Sequence, residues 1–551
     1  FKPTPPEISK HKEESKTMVQ DGAPLNKKIL LGSIIFIVIG MTSLKFSDSD
    51  VSIDSPSIDR EQAISIAEEF LSANDIELAA GYEGYAMITT TYPGSRFIWE
   101  ELGSDTFNDL LGSYVLGPRW KVRFAKFDGE VETRAREIVV SVDFEGNPIR
   151  FYNKFPENEA GAILSQAEAK IIADQALSDH FNLNQSMVSL VSAIESQKPE
   201  RLDWIFTYKE DKNVNYEGSQ LESVITVSGD QLAGFSQSIY VPEEWSRMIR
   251  DREGFSGMLA MLFSIPGGLF IGGLLLIRSF KMLMDSKLNL RKGAFFGAII
   301  FVSAIVAFFN DSSFFMTLPT DQPIGNLMTT MYISAMIGFL VIALAQVLFF
   351  GGLGTMLKPT LNRSSISDSI VGGFIAALLA TTVAMIAGSF QLDLNPNFPR
   401  ITLSGLYYPV LDTFNIYGGF VAVAFSLFFA KTLFEITDGY ANTVKSNIYG
   451  VLLVMFVYGG TIEMQYTIGP SLIAIVLYST LLFLVYKFII KNNYMLIPFM
   501  VLFGRIISTF SSNELGAFNS YPNEALFMVA SYLVGIVVWV QLTKFFFDTD
   551  Q

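Results

Sequence analysis

The chain has 551 residues, 50% of them hydrophobic, with a mean hydropathy of +0.36 and 17% charged residues. That is more apolar than a soluble protein of this length, so the composition points to a membrane protein. Residues 46–250 hold 35 Asp/Glu against 17 Lys/Arg, a net charge of −18 that leaves +3 for the rest of a chain whose total is −15. An acidic block of this kind argues against nucleic acid as a partner. The absence of cysteine excludes disulfides, thiol nucleophiles and thiolate metal sites.

In chain order, residues 1–28 are polar and proline-bearing and read as a cytoplasmic tail. Residues 29–46 are apolar enough for a first transmembrane helix, and Lys27 and Lys28 in front of it place the N-terminus in the cytoplasm. No small-x-small cleavage site follows, so it is read as an uncleaved anchor rather than a signal peptide. The acidic block is then extracytoplasmic. It contains a repeat. "SIDREQAISIAEEFLSANDI" (57–76) matches "ILSQAEAKIIADQALSDHFNL" (163–183), each with a helix-start signal and apolar residues at helical spacing. Each is followed by a Trp-led strand, "WKVRFAKF" from Trp120 and "WIFTYKE" from Trp204, and then by a hairpin whose turn is "EGN" or "SGD". The block therefore reads as two helix-plus-antiparallel-sheet units, 57–157 and 163–242.

The stretch "YVPEEWSRMIRDREG" (240–254) joins this block to the apolar remainder. Nine further spans are expected near 255–277, 293–309, 327–350, 368–390, 410–434, 447–466, 468–490, 493–512 and 524–546, giving about ten. Loop charges alternate. Arg278, Lys281, Lys287, Arg291, Lys292, Lys358, Arg363, Lys445, Lys487 and Lys491 fall on the side expected inside. Asp311, Asp321, Asp393, Arg400, Glu514 and Glu524 fall outside, so both termini are expected in the cytoplasm. The fold class expected is an α-helical polytopic membrane protein with an α+β extracytoplasmic domain, its bundle occupying 255–546.

The doubled helix-and-sheet unit resembles PepSY-like modules. With one span before it, a "VPEEW" junction and a polytopic remainder, the layout resembles bacterial members of the CPBP family of CaaX-processing intramembrane proteases. The resemblance implies a Glu-Glu pair with Arg four residues after the second Glu, and histidines on later helices, where a carboxylate acts as base towards water. The chain departs from that pattern. In "EEWSR" Arg247 is three residues after Glu244, and Met248 stands at the required place. The only histidines are His11 and His180, in no span. Glu435, in "LFEITDGYAN", has no neighbouring Glu, and Gly439 stands where Arg belongs. Glu243 and Glu244 are therefore read as a neck, and no catalytic, cofactor or metal residue is assigned.

The remaining signals are local. "GGLGTMLK" (351–358) lacks the spacing of a phosphate-binding loop and reads as a helix end. Gly268 and Gly272 form a small-xxx-small pair for close helix packing, with Pro266 expected to kink the span. Charges within spans are costly without partners. Lys431 and Glu435 lie near the inner end of a span and are expected to snorkel. Arg505 lies roughly 18 Å from the inner end of its helix at 1.5 Å per residue. It is expected to face the bundle interior and bond Glu463 first, or Asp412. These readings lead to a non-enzymatic accessory or scaffold subunit, with other membrane-protein subunits and lipid as partners. A transporter or channel built on Arg505, and a protease with unrecognised catalytic residues, are the alternatives.

Overall fold

The computed structural model describes residues 27–43, 56–90, 94–210, 218–357, 366–388, 407–408, 411, 419–437, 443–458, 468–511, 537 and 540–541. Helix α1 (Lys27–Ser43) is followed by a sheet domain of two repeats. Repeat 1 runs α2 (Arg60–Ala73), β1 (Glu83–Thr89), a helical insertion, β2 (Arg119–Ala125), a single turn α5 (Val131–Arg134), β3 (Glu137–Val142) and β4 (Pro148–Lys154). The insertion holds α3 (Ser95–Phe97), a π-turn (Ile98–Leu102) and α4 (Gly103–Leu110). Repeat 2 runs α6 (Gln166–Phe181), β5 (Val188–Gln197), β6 (Leu202–Glu210), β7 (Leu221–Ser228) and β8 (Gln231–Ile239).

Both repeat helices start for the same reason. Asp59 accepts from the Gln62 backbone N–H while Gln62 reaches back to Asp59, and Ser165 and Glu168 do the same. Each box satisfies amides that the first helical turn leaves without partners. The Trp residues are equivalent too. Trp120 donates its indole N–H to Ile58 O at 3.2 Å and Trp204 donates to Leu164 O at 3.0 Å. Each ties the second strand of its repeat to the residue before the helix cap. The hairpin turns carry Gly146 at φ +97° and Gly229 at φ +61°, conformations that a β-carbon would strain.

Each repeat has four strands, one more than the sequence reading found. The missed ones are β1 and β5, short on apolar alternation. The insertion between β1 and β2 was also missed. The strands form one antiparallel eight-stranded sheet in the order β1-β2-β3-β4-β8-β7-β6-β5, so the repeats meet last strand to last strand. That seam is narrow, with Phe151 opposite Phe235 and Tyr152 opposite Gly234. Helices α2 and α6 cover one face through Ala63, Ala67, Leu71, Ala169, Ala173 and Leu177. Over the seam His180 stacks on Phe235 with ring centroids 4.0 Å apart.

Beyond the sheet, α7 (Glu243–Met284) is one helix of 42 residues that passes through Pro266. The bundle continues with α8 (Leu290–Asn310), α9 (Ile324–Leu357), α10 (Ile366–Gly388), α11 (Gly419–Thr437), α12 (Val444–Tyr458), α13 (Ile468–Phe488) and α14 (Leu496–Ser511). Among the described residues five helices are long and apolar enough to cross a membrane: Ile265–Met284, Leu290–Asn310, Ile324–Gly352, Ile366–Ala387 and Gly469–Phe488. The first falls within α7 and overlaps the expected 255–277. Of the span expected at 524–546 the structure describes only residues 537 and 540–541.

Close helix approach rests on glycine, at positions other than those expected. A β-carbon on Gly267 would run into the Phe456 carbonyl of α12, and one on Gly293 into the Val347 carbonyl of α9. Beside Gly268 and Gly272 it would meet nothing within 4 Å among the described residues. The packing contact is thus one residue earlier than the small-xxx-small reading placed it, because the helix turns a different face to its neighbour.

Candidate functional site: the sheet-to-bundle latch

The most heavily bonded contact between sheet and bundle is a pair of arginines. Arg123, on β2, donates Nη1 to Phe315 O at 2.6 Å and Nη2 to Leu318 O at 2.7 Å. Both acceptors lie in the connection between α8 and α9. Arg134, on α5, donates Nη1 to Thr320 O at 3.0 Å. Glu137 completes the cluster, 3.1 Å from Arg123 Nη2 and accepting from Thr320 Oγ1 at 3.0 Å. Arg123 and Arg134 are only 4% and 2% exposed. A guanidinium has five donors in a fixed fork, so it can hold several backbone carbonyls at once. Tyr85 adds a ring stacked on Phe315 at 4.6 Å. Burial and the hydrogen bond to Glu83 push the Tyr85 hydroxyl well above its usual range, so it stays protonated.

A second attachment holds the start of α7. Trp245 and Ile249 are buried among Phe97, Ile98, Phe107 and Leu110 of the insertion. Trp245 Nε1 donates to Glu101 Oε1 at 2.9 Å, and Phe97 meets the Trp245 ring edge-on at 5.1 Å. Arg96 pairs with Glu100 and with Glu253, each at 3.2 Å. Glu243 sits at the exposed helix start, 2.8 Å from Arg250 and 4.0 Å from Arg247. Glu243 and Glu244 thus occupy the first turn of the neck, with Pro242 as the cap.

At the opposite end of the bundle three charges converge. Glu435 Oε2 is 3.1 Å from Arg278 Nη2, and its Oε1 is 4.0 Å from Lys431 Nζ. The Arg278 guanidinium also lies over the Phe428 ring, 5.4 Å from its centre. The Lys431 side chain is 15% exposed, so it turns inward rather than snorkelling as expected. The carboxylate four residues on is on the same helix face, which gives the ammonium a partner inside the bundle. Sequence reasoning took Arg278 for a loop cation; its place six residues before the end of α7 was the available signal.

Arg505 lies on α14 and is exposed. Glu463 and Asp412, its expected partners, and Gly439 lie outside the described residues. A cavity of about 550 Å³ opens at one end of repeat 1, lined in part by Tyr82, Lys126, Arg136, Glu132, Glu157 and Glu159. Among the described residues no three His, Cys, Asp or Glu side chains are placed to hold a metal ion. No protein-family model, curated protein or solved structure matches the chain.

Proposed function

We propose that the protein is a non-enzymatic accessory or scaffold subunit of a bacterial inner-membrane complex. In this reading about ten spans carry the sheet domain outside the cytoplasm, with both termini inside. The two repeats stand as PepSY-like modules, and the whole resembles a CPBP-type protease without its catalytic pattern. The observation that carries the proposal is the latch. Two buried arginines fix an acidic, cavity-bearing domain to a turn between two membrane helices. A domain mounted this way presents one surface in one orientation to another subunit. The neck supports the same reading, since Glu243 is engaged with Arg247 and Arg250 in a helix start packed on the insertion.

The test is purification of the full chain in mild detergent with its bound subunits, beside an Arg123→Gln/Arg134→Gln variant. The partner subunit should be retained by the parent and lost from the variant, while the bundle stays folded. Glu243→Gln and Glu244→Gln should leave partner binding intact. Loss of a cleavage activity in either glutamine variant, or ion flux through the purified protein in vesicles, would replace this reading with the protease or the transporter.

A further inference from the structure

We propose that the bundle-facing side of repeat 1 is a binding surface for the headgroups of anionic lipids. In β2 the residues Trp120, Val122 and Phe124 fill the core beneath α2. Their alternates, Arg119, Lys121 and Arg123, point to the opposite face. In β4, Phe151 and Asn153 are buried, which sends Arg150, Tyr152 and Lys154 to that same opposite face. The register brings these rows together. Lys121 pairs with Ser141 of β3, and Ser141 pairs with Arg150 of β4. Lys121 and Arg150 are therefore two strand spacings apart, about 10 Å, with only a serine between them.

Five cations thus share the outward face of β2 and β4. The acids on the outward face of β1–β3 are Glu83 and Glu137, and Glu137 is already held by Arg123 and Thr320. This sign is the reverse of the domain's overall charge of −18 over residues 46–250. Burial, and then the charges of Arg123, Arg119 and Arg150, hold the Lys121 ammonium below its usual range, as expected where positive field accumulates.

Position decides the ligand. Arg123, in the same row as Lys121, bonds the turn between α8 and α9, two helices long and apolar enough to cross a membrane. The cationic face therefore looks towards the level at which those helices leave the bilayer. Tyr152, on that face, is 48% exposed, and Tyr407 and Tyr408, bonded to Asn310 at the end of α8, are 46% and 67% exposed. One exposed tyrosine on the cationic face, with two more at the end of the helix whose following turn Arg123 holds, matches the composition of a headgroup layer. Lys121, Arg150 and Lys154 are the accessible cations, while the buried Arg119 and Arg123 contribute field from behind.

The inference stands on repeat 1 and the α8–α9 turn, whatever subunit the chain assists. The native sequence has no cysteine, so Tyr152→Cys gives a single labelling site in the full chain. The bimane-labelled protein is placed in phosphatidylcholine nanodiscs with an increasing fraction of phosphatidylglycerol that itself bears a nitroxide close to its headgroup, beside the same series with nitroxide phosphatidylcholine. Quenching should rise with the phosphatidylglycerol fraction and fall with added salt. In a Lys121→Gln/Arg150→Gln background the fraction needed for half-maximal quenching should rise roughly fivefold or more. Lys121→Arg/Arg150→Lys should behave like the parent. Should the neutral double variant not fold, Lys154→Gln, at an exposed strand end, should shift the titration in the same direction. Quenching that ignores phosphatidylglycerol, or that is unchanged in the folded neutral variants, overturns the proposal.

Discussion

His180 shows how one side chain can set a pH limit. Its ring is packed between Phe70 and Phe235 over the seam between the repeats. Burial lowers its pKa, against a smaller opposing effect from Asp179. The unfolded chain therefore binds the proton more readily than the folded one. The stability that the neutral ring contributes is present above the unfolded value of about 6.5 and is lost as pH falls through the lower folded value. Thermal unfolding of the protein should show a declining midpoint over that window, and His180→Phe should flatten it. An identical pH profile in the variant would falsify this assignment. The helix-packing glycines make a second contrast. Gly267→Ala forces a β-carbon onto the Phe456 carbonyl, an overpacking that costs about 1–3 kcal/mol. Gly268→Ala meets open space and should be neutral or slightly stabilising in the same melting assay. A glycine in the sequence announces that close approach is permitted, but which face of the helix meets the neighbour depends on packing that no spacing rule contains.

The repeat elements were the most legible part of the chain, and for a physical reason. Capping boxes and tight turns are local, so Asp59 with Gln62, Ser165 with Glu168, and the glycines at 146 and 229 speak within a few residues. Strands β1 and β5 have no such punctuation. The pairing of β4 with β8 is decided by residues more than eighty positions apart, so the single continuous sheet could not be read from either repeat. The latch was hidden for the same reason, since Arg123 and its acceptors are separated by 192 and 195 positions. The two indoles give a test of the repeat itself. Trp120→Phe and Trp204→Phe each remove one hydrogen bond to the residue before a helix cap, so each should cost about 1 kcal/mol. Equivalence is checked by measuring both in the same unfolding assay. A large loss at one and none at the other would mean that the matching geometry has no matching energetic role.

For the whole molecule, the testable quantity is sidedness. The sheet domain bonds the α8–α9 turn, and α7 leads away from that domain. Cysteines introduced singly at Glu200 and at Lys287 should therefore react with an impermeant reagent from opposite sides of the membrane. Labelling of both from the same side would reject the arrangement. The hydropathy of the spans and the acidic block were plain in the sequence because each is a bulk property of many residues. The ion cluster at the other end was half visible, as Lys431 and Glu435 stand one helical turn apart, while Arg278 reaches them only through the packing of α7 on α11.

The sheet is fastened to the bundle at two separate footings. Repeat 2 runs through β8 into α7, and repeat 1 is bolted by Arg123 and Arg134 to the turn between α8 and α9. Between the footings lies the seam, with two paired positions where neighbouring strands have five or more. The insertion bridges the repeats a second time, since Trp245 and Ile249 of α7 are buried with Phe97 and Phe107 of repeat 1 and with Leu221 and Ile239 of repeat 2. If the near ends of α7 and of the α8–α9 hairpin were to draw apart, the strain would be shared between that cluster and the seam. The two together set how far those helix ends can separate.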